Sequence, residues 1–287
     1  MKFWSRQAVH LYFLLGLSGF LLLGEKVFAH GDLHERILVA TVAIKQDAKN
    51  PELYFQRGEL YRQHGEWKLA LADFAQAEKL NPKLTAINFA RGKAFFESGQ
   101  FDEAKAALDK FIFSEPNHSE ALALRARSFL KLGQSPSAVN DFTRAIDCAK
   151  TPSPDYFLQR ARAQIAEGKS EEALTGLDEG IQKLGPVASF QLLAIDLEVN
   201  AKRYDAALSR LEKSSRQSPR KETWLARRGD ILEQAGRRLE AREAFAEALK
   251  SLKLLPPSRR DVPAMADLEM HIGAALLRLE KESNQKN

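Results

Sequence analysis

Residues 53–61 read Leu53-Tyr54-Phe55-Gln56-Arg57-Gly58-Glu59-Leu60-Tyr61, and Gly65, Ala70, Phe74, Ala77 and Pro82 follow them. The same positions return along the chain. Gly65, Gly99 and Gly133 are 34 residues apart, Gly168 comes 35 later and Gly236 68 after that, with Lys202 at the one vacant place. Ala70, Ala104, Ala138, Ala173, Ala207 and Ala241 keep the register without exception. So do Phe74, Leu108, Phe142, Leu177, Leu211 and Phe245. Gly58, Gly92, Ala126, Ala161, Ile195 and Gly229 form a fourth series, and Ala77, Phe111, Ala145, Gly180, Ser214 and Ala248 a fifth. Five series in one register define a repeated unit.

Each series has a steric reason. A glycine after an apolar-periodic stretch takes the left-handed conformation that ends a helix. The Ala70 and Gly58 series are small where two helix backbones approach, and the Phe74 series fills the space between units. Pro82, Pro116 and Pro219 stop the second helix, because proline has no amide hydrogen to continue it. The unit is two antiparallel helices, expected six times at 51–84, 85–118, 119–152, 154–187, 188–221 and 222–255, with the one-residue slip at Pro152-Ser153-Pro154. Ile195, Lys202 and Ser214 make the fifth unit the most divergent. Such a stack needs capped ends. Residues 30–50 hold the first cap, a helix over Asp32 to Ala48 with Leu33, Ile37, Ala40 and Ile44 on one face and Asp32 with Glu35 as its N-terminal capping pair. Residues 256–287 hold the last: Pro256-Pro257 breaks the chain, Ala264 to Lys281 is amphipathic through Met265, Leu268, Ile272, Ala275 and Leu279, and Glu282 to Asn287 is a polar, frayed tail.

The 53–61 segment with its followers resembles the tetratricopeptide repeat family, and the resemblance covers about 205 of 287 residues. It implies an all-α, right-handed superhelical solenoid of about six two-helix units with N- and C-terminal capping helices. It also implies a non-catalytic protein–protein interaction scaffold or adaptor, whose first helices line a concave groove. Carried onto this chain, one inward row is Glu59, Lys93, Arg127, Arg162, Asp196 and Asp230. The row one turn on is Arg62, Phe96, Leu130, Ile165, Val199 and Glu233, and the row one turn back is Phe55, Phe89, Ala123, Leu158, Leu192 and Ala226. The expected partner site is therefore Phe89, Lys93, Phe96, Arg127, Leu130, Leu158, Arg162 and Ile165, a basic and apolar groove centre for an acidic, apolar peptide or helix, with an acidic end at Asp196 and Asp230. Chaperone-binding relatives grip a C-terminal carboxylate with lysine and asparagine. Here those places hold Phe55, Phe89 and Ala123, or Glu59 and Lys93, so that activity is not expected.

Composition narrows the rest. Hydrophobic residues are 44% and charged residues 28%, a globular balance. Lys plus Arg number 43 against 38 Asp plus Glu, and the signs alternate, so no basic stripe suits a nucleic acid. One cysteine, Cys148, rules out an internal disulfide and is expected as a buried structural thiol. The acidic residues are expected on solvated helix surfaces. No phosphate-binding glycine loop, zinc-protease histidine pair or Gly-x-Ser-x-Gly elbow occurs, so neither an enzyme nor a cofactor is expected.

The N-terminus reads as an address. Lys2 and Arg6 precede the apolar run Leu11 to Leu23, and Val27-Phe28-Ala29 supplies a small-residue cleavage signal. Residues 1–29 are expected to be a signal peptide, which leaves no membrane span after processing. The run is shorter than the ~20 residues of a spanning helix; an uncleaved membrane anchor is the alternative. The periplasm or envelope of a Gram-negative bacterium is the expected location. Cleavage there makes His30 the mature N-terminus, and its amine and imidazole with His34 one turn on form an alternative copper or zinc site.

Overall fold

The computed structural model describes residues 32–216 and 220–284, and among them there is no strand. None of the described helices is long and apolar enough to cross a membrane. The chain divides into two compact units at Thr151 and Pro152.

The first unit holds α1 (32–46), α2 (Pro51–Gln63), α3 (Trp67–Leu80), α4 (Ala86–Glu97), α5 (Phe101–Ser114), α6 (Ser119–Lys131) and α7 (Ser135–Cys148). α2 packs on α3, α4 on α5 and α6 on α7, and each pair meets the next through α3–α4 and α5–α6. Local chemistry sets the helix ends. Asn50 caps α2 by accepting from the Glu52 amide at 3.1 Å, with Pro51 in the first turn. His118 caps α6, its Nδ1 accepting from the Ala121 amide at 3.2 Å. Gly65, Gly99 and Gly133 have φ of +83°, +80° and +71°, the left-handed turns expected of them. Pro82 and Pro116 follow the ends of α3 and α5; Pro219 lies outside the described residues. On α1, Ile37 and Ile44 are buried, and Thr41 Oγ1 accepts from Arg57 of α2 at 3.1 Å.

The second unit holds α8 (Pro154–Ala166), α9 (Ser170–Leu184), α10 (Ala188–Asn200), α11 (Tyr204–Ser215), α12 (Lys221–Gln234), α13 (Arg238–Lys253), the short α14 (Pro257–Arg260) and α15 (Pro263–Asn284). α8 pairs with α9, α10 with α11 and α12 with α13, and α15 covers α13 with Ile272, Ala275 and Leu279 buried against Ala241, Phe245 and Ala248. α15 runs past Lys281, where the sequence pattern placed its end. In the divergent fifth repeat Lys202 adopts φ +58° and keeps the turn, at a steric cost to a side-chain-bearing residue of about 1–2 kcal/mol. Ile195 and Leu211 are both buried there and share one cluster.

The core explains the register. Phe74, Phe142 and Phe245 are fully buried, and each contributes roughly 1.5–3 kcal/mol. Their partners are small because nothing larger fits. A Cβ on Gly58 would lie 2.6 Å from the Phe74 ring, one on Gly92 2.7 Å from Leu108 Cγ, and one on Gly229 2.7 Å from the Phe245 ring. The all-α fold of repeated helix pairs is thus the one the register implies.

Candidate functional site

In the first unit α2 touches α4 and α4 touches α6, so the first helices lie side by side. Residues 34 apart become neighbours. Lys93 Nζ lies 3.4 Å from Glu59, and Arg62 donates to Glu97 at 2.5 Å and to both Glu59 oxygens at 3.1 Å. Two acids and two bases cancel, so Lys93 of the expected partner site is already paired with Glu59. Burial alone would lower the Arg62 guanidinium pKa, but the bonds to Glu59 and Glu97 outweigh it and raise it. Burial pushes the Glu97 carboxyl up against the pull of Arg62.

Phe89 is tied down as well. Its ring stacks on Phe111 at 5.1 Å and meets His118 at 4.9 Å, with the Lys93 ammonium 4.8 Å above it. Phe96 packs edge-on against Phe101 at 5.6 Å and stays half-buried, as do Arg127 and Leu130. Of the eight sequence-derived residues, these five share α4 and α6. Leu158, Arg162 and Ile165 sit on α8 of the second unit, Arg162 exposed and the other two half-buried.

The acidic end of the rows is bonded to following helices. Asp196 is bonded to Arg227, Asp230 to His271 Nε2 at 2.8 Å, and Glu233 to Arg278 through two contacts of 2.8 Å. The Arg278 bonds hold the Glu233 carboxyl below its ordinary value. Asp196 and Glu233 are thus held in ion pairs with arginines, and Asp230 is hydrogen-bonded to a histidine.

Sequence reasoning missed a ladder of arginines. Arg57, Arg91, Arg125 and Arg160 follow the repeat spacing, each one residue before the small residue of its first helix. Arg57 grips Asp73 through two bonds of 2.7 Å, and Arg125 grips Asp141 at 2.6 and 2.8 Å while its third nitrogen reaches Asp109 at 2.7 Å. Asp73 and Asp141 are 6% and 2% exposed, and Glu198 and Glu222 5% and 3%, so the placement of all acids on solvated surfaces was wrong for these four. The two aspartates are buried because a planar guanidinium satisfies both oxygens. Each aspartate stands 16 residues after its arginine, a signal present in the sequence. Where the sixteenth residue is Ala107, Arg91 reaches Glu78 at 2.6 Å instead and its Nε is buried without a partner. Where it is Gly176, Arg160 bonds Glu179 at 2.7 Å.

Two other residues stand apart from these rows. Cys148 is exposed, not buried, its Sγ 3.6 Å from Asn117 Oδ1. It is the last residue of α7, whose buried positions end at Ile146. His30 lies outside the described residues, His34 is exposed on α1, and no group of three or more potential metal ligands occurs among the described residues.

Three models of one repeat family match the chain: a tetratricopeptide repeat-like domain over residues 154–260, and tetratricopeptide repeats over 89–153 and 51–84. The human DnaJ homolog subfamily C member 3 is 30% identical over 98 residues, 34% of this chain and 19% of that protein. The chain thus matches about a fifth of the length of that curated relative. Among solved structures, the C-terminal part of a tetratricopeptide repeat protein from Cytophaga hutchinsonii aligns with a TM-score of 0.65 at 15% identity, over 85% of this chain and 97% of that one. YrrB, described as having an unusual peptide-binding site, aligns with a TM-score of 0.53 at 19% identity, over 63% and 92%. Register, helix pairs and family models agree: the chain belongs to the tetratricopeptide repeat family, whose members act in protein–protein interaction.

Proposed function

We propose that the protein is a non-catalytic scaffold that holds a peptide or helix of a partner protein against the first helices of its repeats. The observation that carries this is the side-by-side contact of α2, α4 and α6, which sets side chains of successive units in register on one face. That face offers Phe96, Leu130 and Arg127 half-buried, beside an ion network that is already balanced. Recognition then rests on apolar contact with Phe96 and Leu130, on Arg127, and on exchange of a partner carboxylate for Glu97 at Arg62. Leu158, Arg162 and Ile165 repeat the alternation on α8 of the second unit. An acidic, apolar segment suits both sets. The peptide-binding site ascribed to YrrB, a protein of similar fold, agrees with this reading.

The proposed place of action is the periplasm or cell envelope. Lys2, Arg6, the Leu11 to Leu23 run and Ala29 support export. N-terminal sequencing of the product should begin at His30; a start at Met1 in a membrane fraction overturns processing. For binding, affinity capture from the native envelope with mass spectrometry should recover one partner, which Arg127→Glu and Phe96→Ala each lose while helicity is unchanged. Full capture by both folded variants would show that this face does not bind.

A further inference from the structure

The arginine ladder breaks in the second unit. Its place in the sixth repeat is held by Arg228 on α12. Arg125, the corresponding residue of the third repeat, ties Asp109 of the preceding second helix to Asp141 of its own. The counterparts for Arg228 are Glu212 and Ala244. Ala244 is fully buried and offers no carboxylate, and Glu212 is bonded to Arg216 at 2.8 Å. Arg228 is exposed and forms no ion pair among the described residues. The other carboxylate that feels its charge, Glu240, is bonded to Arg237 at 2.6 Å.

Beside it lies a cleft of about 840 Å³ between α11 and α12, walled by Leu208, Leu211, Trp224, Leu225 and Leu232. Asp205 and Glu212 line it too, Asp205 bonded to Arg237, which it shares with Glu240, and Glu212 to Arg216. Lys221, also lining and exposed, forms no ion pair among the described residues. The lining thus holds four cations, Arg216, Lys221, Arg228 and Arg237, against two acids, at an apolar cleft of small-ligand size.

We infer that this cleft binds an anionic amphiphile, an acyl chain ending in a carboxylate. Its apolar tail would lie along Trp224 and the leucines, and its headgroup would take the two guanidinium bonds that an aspartate takes from Arg125. A peptide fits less well, because the uncharged hydrogen-bonding side chains of the lining are few, Ser209, Ser215 and the Trp224 indole, and Ser215 already donates to the Glu212 carbonyl at 2.9 Å. The site is separate from the proposed partner face, so either can fail alone.

The test uses the full chain with Trp4→Phe and Trp67→Phe, which leaves Trp224 as the sole indole. Sodium dodecanoate, titrated below its micelle concentration, should change Trp224 emission saturably, and dodecyltrimethylammonium should bind at least about tenfold more weakly. Arg228→Gln, at an exposed position, should weaken dodecanoate binding roughly tenfold without lowering helicity or the affinity for the ammonium probe. Absence of a saturable response, equal affinity for the two headgroups, or indifference to Arg228→Gln would each overturn the inference.

Discussion

The same substitution at two glycines of the second unit should have opposite signs. Replacing a mid-helix glycine by alanine normally stabilises by about 1 kcal/mol, since alanine loses less backbone freedom on folding. Gly273 of α15 fits that rule: nothing lies within 4 Å of the position its Cβ would take. Gly229 of α12 does not. Its Cβ would sit 2.7 Å from two atoms of the Phe245 ring, which is fully buried. Carbon atoms rest at about 3.5–4.0 Å, so the ring or the helix must give by about 1 Å. Overpacking of that kind costs about 1–3 kcal/mol, more than the propensity gain. The third repeat places Ala126 opposite Phe142, so a helix pair can be spaced for the larger combination, and the penalty at Gly229 is that of forcing α12 and α13 toward that spacing. Gly273→Ala should gain up to about 1 kcal/mol and Gly229→Ala lose about 1 kcal/mol, a difference of a few degrees in melting temperature by circular dichroism. Phe245→Leu added to Gly229→Ala should recover part of the loss, as the Ala161 and Leu177 combination occurs in the fourth repeat. If Gly229→Ala stabilises as much as Gly273→Ala, the small-residue series is not set by clearance and the steric account of the register is wrong.

Lys202→Gly should stabilise the second unit by about 1 kcal/mol in urea unfolding, because it relieves the only side-chain-bearing residue at positive φ among those described; an unchanged midpoint refutes it. Ala107→Asp should give Arg91 the carboxylate that Asp73 and Asp141 give its neighbours, a net gain of about 1 kcal/mol after the helix-propensity loss, and equal or lower stability would show that burying the new charge costs more than the bond returns. Acid titration should expose several depressed carboxyls, Asp109 and Glu233 among them. Burial opposes the ionised form of Asp109, yet Lys105 and Arg125 hold its pKa low, and Arg278 does the same for Glu233. The folded protein then binds fewer protons than the unfolded chain, so this stability is present above about pH 4.5 and lost as pH falls through the folded values. Glu233→Gln should flatten that acid slope, and a slope equal to that of the parent removes Glu233 from it.

The fold was legible because its constraints are steric and recur at one spacing. Whether a methyl fits between α2 and α3 is decided by the residues at 58 and 74, and six copies of that decision align in a single sequence. Charge is different, since its meaning depends on which helices touch. Glu59 and Lys93 were placed correctly in one row, yet their mutual neutralisation appears only once α2 and α4 are known to be in contact. Asp230 and His271, 41 residues apart, meet because α15 folds back on α12 and α13, which no repeat spacing encodes. The arginine ladder lies between these cases: its spacing is regular, but a buried pair 16 residues apart looks like two surface charges until the turn at Gly65 or Gly133 brings the helices together. Its interruptions say more than its continuity. At Ala107 an arginine nitrogen has no hydrogen-bond partner among the described residues, at Gly176 an arginine turns to a different helix position, and at Ala244 the tie is gone and a cleft with more cations than acids stands beside Arg228, which has no ion pair among the described residues. Where the series loses its partner residue, Arg91 and Arg160 turn to other carboxylates and Arg228 does not, so the breaks in the repeat mark what is particular to this chain while the intact positions mark the family.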